Sequence, residues 1–210
     1  MMNIFYLTNK KIIMHLITMN KELFLFKYKY ERKSGLKLPL RYLKKSKVYK
    51  FVVDGQIVGG FILNSVPPLR TAEIFVSEEN KKSILKKLNK GIFCEVCCFW
   101  MDRKFQKEPF YNSKFWLQMA KETEKQDKRY ILYGTNAKGL ANMYGYPQVS
   151  LLLHNDKVDG KETFIFLARR IEFYEGVKEI LNSRLNKKNR KINYENKVKL
   201  ENELRHEISR

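Results

Sequence analysis

The chain has 210 residues, enough for one sizeable domain without requiring two, and 44% of them are hydrophobic with abundant Phe, Tyr and Trp, which excludes wholesale disorder. It has no run of about eighteen uncharged apolar residues, so no membrane-spanning helix is expected. The net charge of +20 points to an acidic partner (nucleic acid, an acidic protein or an anionic membrane) or to a lysine-rich surface without one, and charge alone does not choose among these.

Residues 1–46 alternate apolar clusters with lysines and predict a first strand and helix. Within them Ile12–Met19 is short, contains His15 and runs into Lys21-Glu22 without a small-residue cleavage pattern, so it reads as part of the folded domain rather than a signal peptide. Val48–Val53 and Gln56–Leu63 are β-rich runs joined by Asp54-Gly55, a strong hairpin signal. Arg70–Val76 reads as another strand. Ser77 caps a helix that runs through Leu88, acidic at its start and basic later, stopped by Asn89-Lys90-Gly91. Ile92–Trp100 is apolar on both faces and belongs at the centre of a sheet.

Phe110–Gln126 follows as a helix capped by Asn112 or Ser113, with Phe115, Trp116, Met119, Ala120 and Thr123 as its buried stripe. Arg129–Gly134 is the next strand, and strand, helix and strand at this spacing make a βαβ unit with parallel strands. Thr135–Tyr144 reads as a turn and short helix ended by Gly145-Tyr146-Pro147, and Val149–His154 with Thr163–Leu167 as a closing hairpin across Asn155–Lys161. From Ile171 the spacing is helical, and a charged helix or tail follows residues 186–191. The expected fold class is α/β (α+β): a single mixed sheet with flanking helices over residues 1–170, then a basic helical extension over 171–210.

Cys94, Cys97 and Cys98 share one strand. Neighbours on a strand point to opposite faces, so Cys97 and Cys98 do not bridge, and unpaired thiols suit the reducing cytoplasm. A zinc site at Cys94 and Cys97 needs two further ligands, and His15, His154 and His206 lack the paired spacing, so no metal is expected. Glu95 is a carboxylate inside an apolar strand, costly unless paired or facing a cleft. It reads either as a general base tuned by desolvation or as the structural partner of a neighbouring Lys or Arg. Cys97, on the Glu95 face, reads as a small buried hydrophobe, since no base stands near it in sequence. Trp100, Phe110, Phe115 and Trp116 line an acyl tunnel or simply form core.

The order of these elements over residues 46–170, with a strand ending Tyr133-Gly-Thr-Asn136 and a short helix ending Tyr144-Gly-Tyr146, resembles the GNAT acyltransferase superfamily. The resemblance implies that Ile92–Trp100 and Arg129–Gly134 splay apart to admit an acyl thioester arm. It implies that backbone near Cys97, Cys98 and Phe99 meets the acyl carbonyl, that Asn136 contacts the donor, and that Tyr144 protonates the departing thiolate. The family's pyrophosphate loop carries glycines that let backbone N–H groups approach phosphate. Met101–Phe110 has no glycine, which leaves Arg103, Lys104 and Lys107 to hold a phosphate by charge.

The chain therefore resembles the autoinducer-synthase-like and peptide- or toxin-lipidating members more than ordinary acetyltransferases. The function this implies is N-acyl transfer from the phosphopantetheine of an acidic acyl carrier protein, or from acyl-CoA, to a primary amine of a small molecule or peptide. Attack is direct, without a covalent intermediate, and Glu95 assists deprotonation. The alternative from another class is a basic nucleic-acid-binding protein without catalysis, using its charge and exposed tyrosines, although no recognised nucleic-acid-binding signature is present.

Overall fold

In the computed structural model, which describes residues 12–88, 91–144 and 150–185, the two Asp-Gly pairs set the hairpins. Asp54 and Gly55 have φ of 50° and 76°, and Asp159 and Gly160 repeat those values, the left-handed pair that a two-residue turn between twisted strands requires. In chain order the elements are β1 (Ile12–Leu16), α1 (Asn20–Ser34), α2 (Leu40–Lys45), β2 (Lys47–Val53), β3 (Gln56–Asn64), α3 (Arg70–Phe75), α4 (Glu78–Leu88) and β4 (Phe93–Met101). They continue with α5 (Arg103–Gln106), α6 (Pro109–Glu124), β5 (Tyr130–Thr135), α7 (Lys138–Tyr144), β6 (Ser150–Val158), β7 (Lys161–Arg169) and α8 (Arg170–Leu185). The strands form one mixed sheet in the order β1-β2-β3-β4-β5-β7-β6. β4 is its middle strand, as its two-sided apolarity predicts.

The chain divides into two compact units, Met1–Ile62 with Cys98–Asn112, and Leu63–Cys97 with Ser113–Arg210. In the first, β1 and β2 pair antiparallel from Ile12↔Val53 to Leu16↔Tyr49. Phe26 of α1, Leu38, Leu43, Phe51 and Phe61 are fully buried there, and Tyr49 stacks on Phe61 with ring centroids 4.9 Å apart. A Cβ on Gly60 would stand 2.6 Å from Phe26 Cε2, so the missing side chain is what lets α1 seat on β3. Gly35, at φ 72°, ends α1 by donating its N–H to the Glu31 carbonyl.

In the second unit β4 and β5 are parallel, and β5, β7 and β6 are antiparallel neighbours. One face is covered by α3 and α4, whose Leu69, Ala72, Val76, Ile84 and Leu88 pack with Phe93, Tyr130, Leu132, Ile165 and Leu167. The other face carries α7 and α8, both packed on β5 and β7, with Phe173, Val177 and Leu181 of α8 buried. β7 passes directly into α8 at residue 170, where the extension was expected to begin.

Three sequence expectations are corrected. Arg70–Phe75 is a helix rather than a strand, because consecutive Arg70, Thr71 and Ala72 are all buried and a distant carboxylate receives the first amides. Helix α6 begins at Pro109, a natural first helical residue, while Asn112 Nδ2 donates to the Gln106 carbonyl at 2.9 Å instead of capping. The closing hairpin is longer than expected and turns at Asp159-Gly160. Asn89-Lys90, Gly145-Tyr146-Pro147 and the tail from residue 186 lie outside the described residues.

Candidate functional site

The parallel ladder between β4 and β5 runs Phe93↔Tyr130, Cys94↔Ile131, Glu95↔Leu132. Beyond that point β4 goes on to Met101 and β5 to Thr135, while β5 keeps its partner β7 to the end at Thr135↔Phe164. The two parallel strands therefore pair for only part of their length. Cys98 has φ 52°, a left-handed conformation rare for a residue with a side chain and typical of a bulge that bends a strand.

On the α7 side of this region stands an aromatic cluster. The Tyr144 ring meets Tyr133 edge-on with centroids 4.9 Å apart, and touches Phe166 and Trp116 at 5.7 and 6.4 Å. Tyr133 in turn packs on Phe166 and Phe173, and its hydroxyl shares a short hydrogen bond with Ser150 Oγ. Burial pushes both phenols far above the usual tyrosine range, against the pull of Ser150 on Tyr133. Both hydroxyls therefore remain protonated and can only donate or share a proton, not act as bases. Trp116 has the place in this cluster that its reading as tunnel lining or core allows, whereas Tyr133 and Ser150 have no spacing signature, because their contact is made between β5, β6 and α7.

Glu95 is fully buried, and hydrogen-bond donors surround it. Asn64 Nδ2 and the Arg70 N–H donate to one carboxylate oxygen at 2.9 Å each, and the Thr71 N–H and hydroxyl donate to the other at 2.8 and 2.9 Å. The neighbouring strand β3 supplies the Asn64 amide, and the start of α3 supplies the other three of these donors. Both carboxylate oxygens thus already accept two hydrogen bonds each. Glu95 also bonds α3, whereas Tyr144 packs on Tyr133, the β5 residue that alternates with Leu132 to the opposite face. Glu95, expected as base, and Tyr144, expected as acid, therefore lie on opposite faces of the sheet, and the carboxylate of Glu95 ties the start of α3 to β4.

The other expected residues are distributed as follows. Cys97 and Cys98 are buried and in no disulfide, and Phe99 is half-buried. Asn136 is exposed in the turn after β5, where the Ala137 N–H donates to Thr135 Oγ1 at 3.0 Å. Arg103, Lys104 and Lys107 are exposed on and just after α5. The amides of Phe105, Gln106, Lys107 and Glu108 all donate to nearby backbone carbonyls, so this segment offers side-chain charge rather than a row of free amides. Asp102 pairs with Lys33 at 2.5 Å. Phe115 and Trp100 are buried, Trp116 is half-buried and Phe110 is exposed. Among the described residues there is no group of His, Cys, Asp and Glu able to hold a metal ion, and no helix long and apolar enough to cross a membrane.

No protein-family profile matches the chain, and no curated protein matches it in sequence. Solved structures match it in fold. FeeM, an N-acyl amino acid synthase from uncultured soil microbes, aligns with a TM-score of 0.58 at 10% identity over 79% of this chain and 94% of that one. The AHL synthase LasI aligns at 0.54 and 10% identity over 77% and 91%. BjaI, a CoA-dependent acyl-homoserine lactone synthase solved with SAM and isopentyl-CoA, aligns at 0.54 and 12% identity over 82% and 90%. Identities this low speak of fold alone, and the fold they share with this chain is the GNAT-like one of acyl-amino-acid and acyl-homoserine-lactone synthases.

Proposed function

We propose that this protein is an N-acyltransferase, moving an acyl group from a thioester on an acyl carrier protein or CoA to a primary amine of a small molecule or peptide. The observation that carries this reading is the β4–β5 ladder that stops at Glu95↔Leu132 while both strands continue, with Tyr144 packed against β5 at Tyr133. An extended thioester arm suits a strand β5 that runs on past its last rung with β4, because strand backbone can hydrogen-bond it. The likeness in fold to acyl-transferring synthases supports the same reading.

In the reaction the amine nitrogen attacks the thioester carbonyl carbon, and backbone N–H groups near Cys97, Cys98 and Phe99 receive the developing oxyanion. The C–S bond then breaks. Tyr144, held protonated by burial, gives its hydrogen bond to the leaving sulfur and passes its proton on only as it takes up the one that the amine loses, so that no tyrosinate forms. The products are an amide and a free thiol, with no acyl-enzyme. Asn136 contacts the donor arm, and Glu95 contributes by anchoring α3.

Arg103, Lys104 and Lys107 meet the donor phosphate by charge. A segment whose amides are spent in its own turn suits the single phosphate of a carrier arm better than a pyrophosphate. The basic surface suits an acidic carrier, and three cysteines outside any disulfide suit the cytoplasm.

The test is to incubate the purified chain with pools of acyl-CoA and acyl carrier protein and a panel of primary amines, reading amide formation and thiol release by mass spectrometry. Tyr144→Phe is expected to slow turnover about 100-fold. If neither thioester is consumed and the chain instead binds nucleic acid with a steep salt dependence, the enzymatic reading fails.

A further inference from the structure

Helix α1 is amphipathic on one side and oddly apolar on the other. Its inward stripe is Leu23, Phe26 and Tyr30. Its outward stripe is Phe24, Leu25 and Tyr28, which are 54%, 42% and 61% exposed. At 100° per residue these three fall on one face, with exposed Lys21 one turn before them and exposed Arg32 one turn after. Just ahead of the helix, Leu16 and Met19 are also exposed, at 47% and 60%. Single exposed apolar residues need no explanation, but a stripe of them does.

The charges say what covers it. The helix has two carboxylates, and both are engaged beside the stripe, Glu22 with Lys50 and Glu31 with Lys27 and the Leu38 amide. The outward face therefore presents apolar side chains between two cations. A second copy packed antiparallel on this face would set Lys21 against Arg32, a repulsive arrangement. Residues 1–11 and 186–210 of this chain each carry more basic than acidic residues, so they complement it no better.

The three central side chains expose on the order of 300 Å² together, taking half of each side chain's area. That is well below the roughly 800 Å² per partner of a stable protein interface. A lipid surface needs no matching shape. It accepts Phe, Leu and Tyr at headgroup depth and attracts flanking Lys and Arg when its lipids are anionic.

We infer that the outward face of α1 is a docking surface for an anionic membrane, inserting Phe24, Leu25 and Tyr28 between the anchoring cations Lys21 and Arg32. The full chain is tested by co-sedimentation with vesicles of phosphatidylcholine alone and with about one third phosphatidylglycerol. It binds the anionic vesicles, and binding weakens as salt rises. Phe24→Asp with Tyr28→Asp lowers the partition coefficient about tenfold or more with little change in Tm. Lys21→Gln with Arg32→Gln lowers it roughly 30-fold, while Lys157→Gln with Lys161→Gln, exposed on the β6–β7 hairpin, leaves it within about twofold.

Equal binding to both vesicle types, or none, overturns the inference. So does an equal loss in the hairpin variant, which would mark general charge attraction. A concentration-dependent dimer, or binding of an acidic carrier protein, that Phe24→Asp abolishes while vesicle binding survives also overturns it. Should the aspartate pair fail to fold, the Lys21 and Arg32 variant against the hairpin variant decides alone.

Discussion

Replacing Glu95 with Gln separates the two jobs that a buried carboxylate at this place can do. One oxygen receives Asn64 Nδ2 and the Arg70 N–H at 2.9 Å each, and the other receives the Thr71 N–H at 2.8 Å and its hydroxyl at 2.9 Å. Glutamine keeps one acceptor oxygen and turns an NH2 group toward the second pair of donors. A hydroxyl can rotate to accept, but a backbone N–H cannot, so at least one buried donor loses its acceptor. Hydrogen bonds to a charged group are worth about 1.5–3 kcal/mol each, and an orphaned buried group costs about 1–3 kcal/mol. We expect Glu95→Gln to lose about 3–5 kcal/mol, a large share of the roughly 5–15 kcal/mol that holds a domain folded. For a chain of this size that lowers Tm on the order of 10 °C. Calorimetry and urea titration measure it directly, and turnover is read at a temperature where both proteins are folded. If the variant melts within about 1 °C of the parent while acyl transfer falls 100-fold or so, the carboxylate is a proton acceptor and the anchoring account is wrong.

Gly60→Ala places a Cβ 2.3 Å from the Tyr49 carbonyl oxygen and 2.6 Å from Phe26 Cε2. A loss of about 2–3 kcal/mol in the urea midpoint analysis is expected, since strand backbone cannot retreat. Asp156 accepts from the Ser77 and Lys157 amides at 2.8 and 2.7 Å and from Asn80 Nδ2 at 3.2 Å; hydrogen bonding led by the Ser77 amide holds its carboxyl well below the usual range. Its contribution is present above the unfolded pKa of about 4 and is lost as pH falls through the lower folded value, so Asp156→Asn is less stable at neutral pH and its deficit narrows in acid. Cys98→Gly is expected to stay within about 1 kcal/mol of the parent, and Cys98→Val to cost more than about 2 kcal/mol, because φ 52° is open to glycine and nearly closed to a β-branched residue. Equal melting of the two variants would mean that β4 has no bulge there.

What could be read from the sequence was what local chemistry decides. Asp54-Gly55 gave the first hairpin and the apolar run after Gly91 the central strand, and the spacing of the next helix gave the parallel partner. The same Asp-Gly signal at residues 159–160 was passed over, because Asn155–Lys161 contains enough polar residues to pass for a long loop, although an edge strand with a solvated face carries such residues too. Arg70–Phe75 was misread because its start is completed by a carboxylate that lies 24 and 25 positions further along the chain, and no window of local sequence contains that partner. Tyr144 entered as a candidate through resemblance, whereas its contact with Tyr133 depends on how β5 and α7 meet, which periodicity does not encode.

The misread helix and the buried carboxylate belong to one device. Thr71 bonds Glu95 on β4 through both its N–H and its hydroxyl. Its methyl, together with the Phe75 ring, occupies the space that a side chain on Gly134 of β5 would need, with Phe75 Cδ2 at 2.4 Å and Thr71 Cγ2 at 3.0 Å from a Cβ built there. Helix α3 is thus tied to β4 at Glu95, the last rung of the ladder, and seated on β5 two residues past its own last rung. The residues that separate the two strands' fates are therefore a carboxylate on one and an absent side chain on the other, bridged by a single threonine. A charge inside an apolar strand was rightly expected to need a strong reason. That reason is the placement of a helix at the last rung that β4 and β5 share.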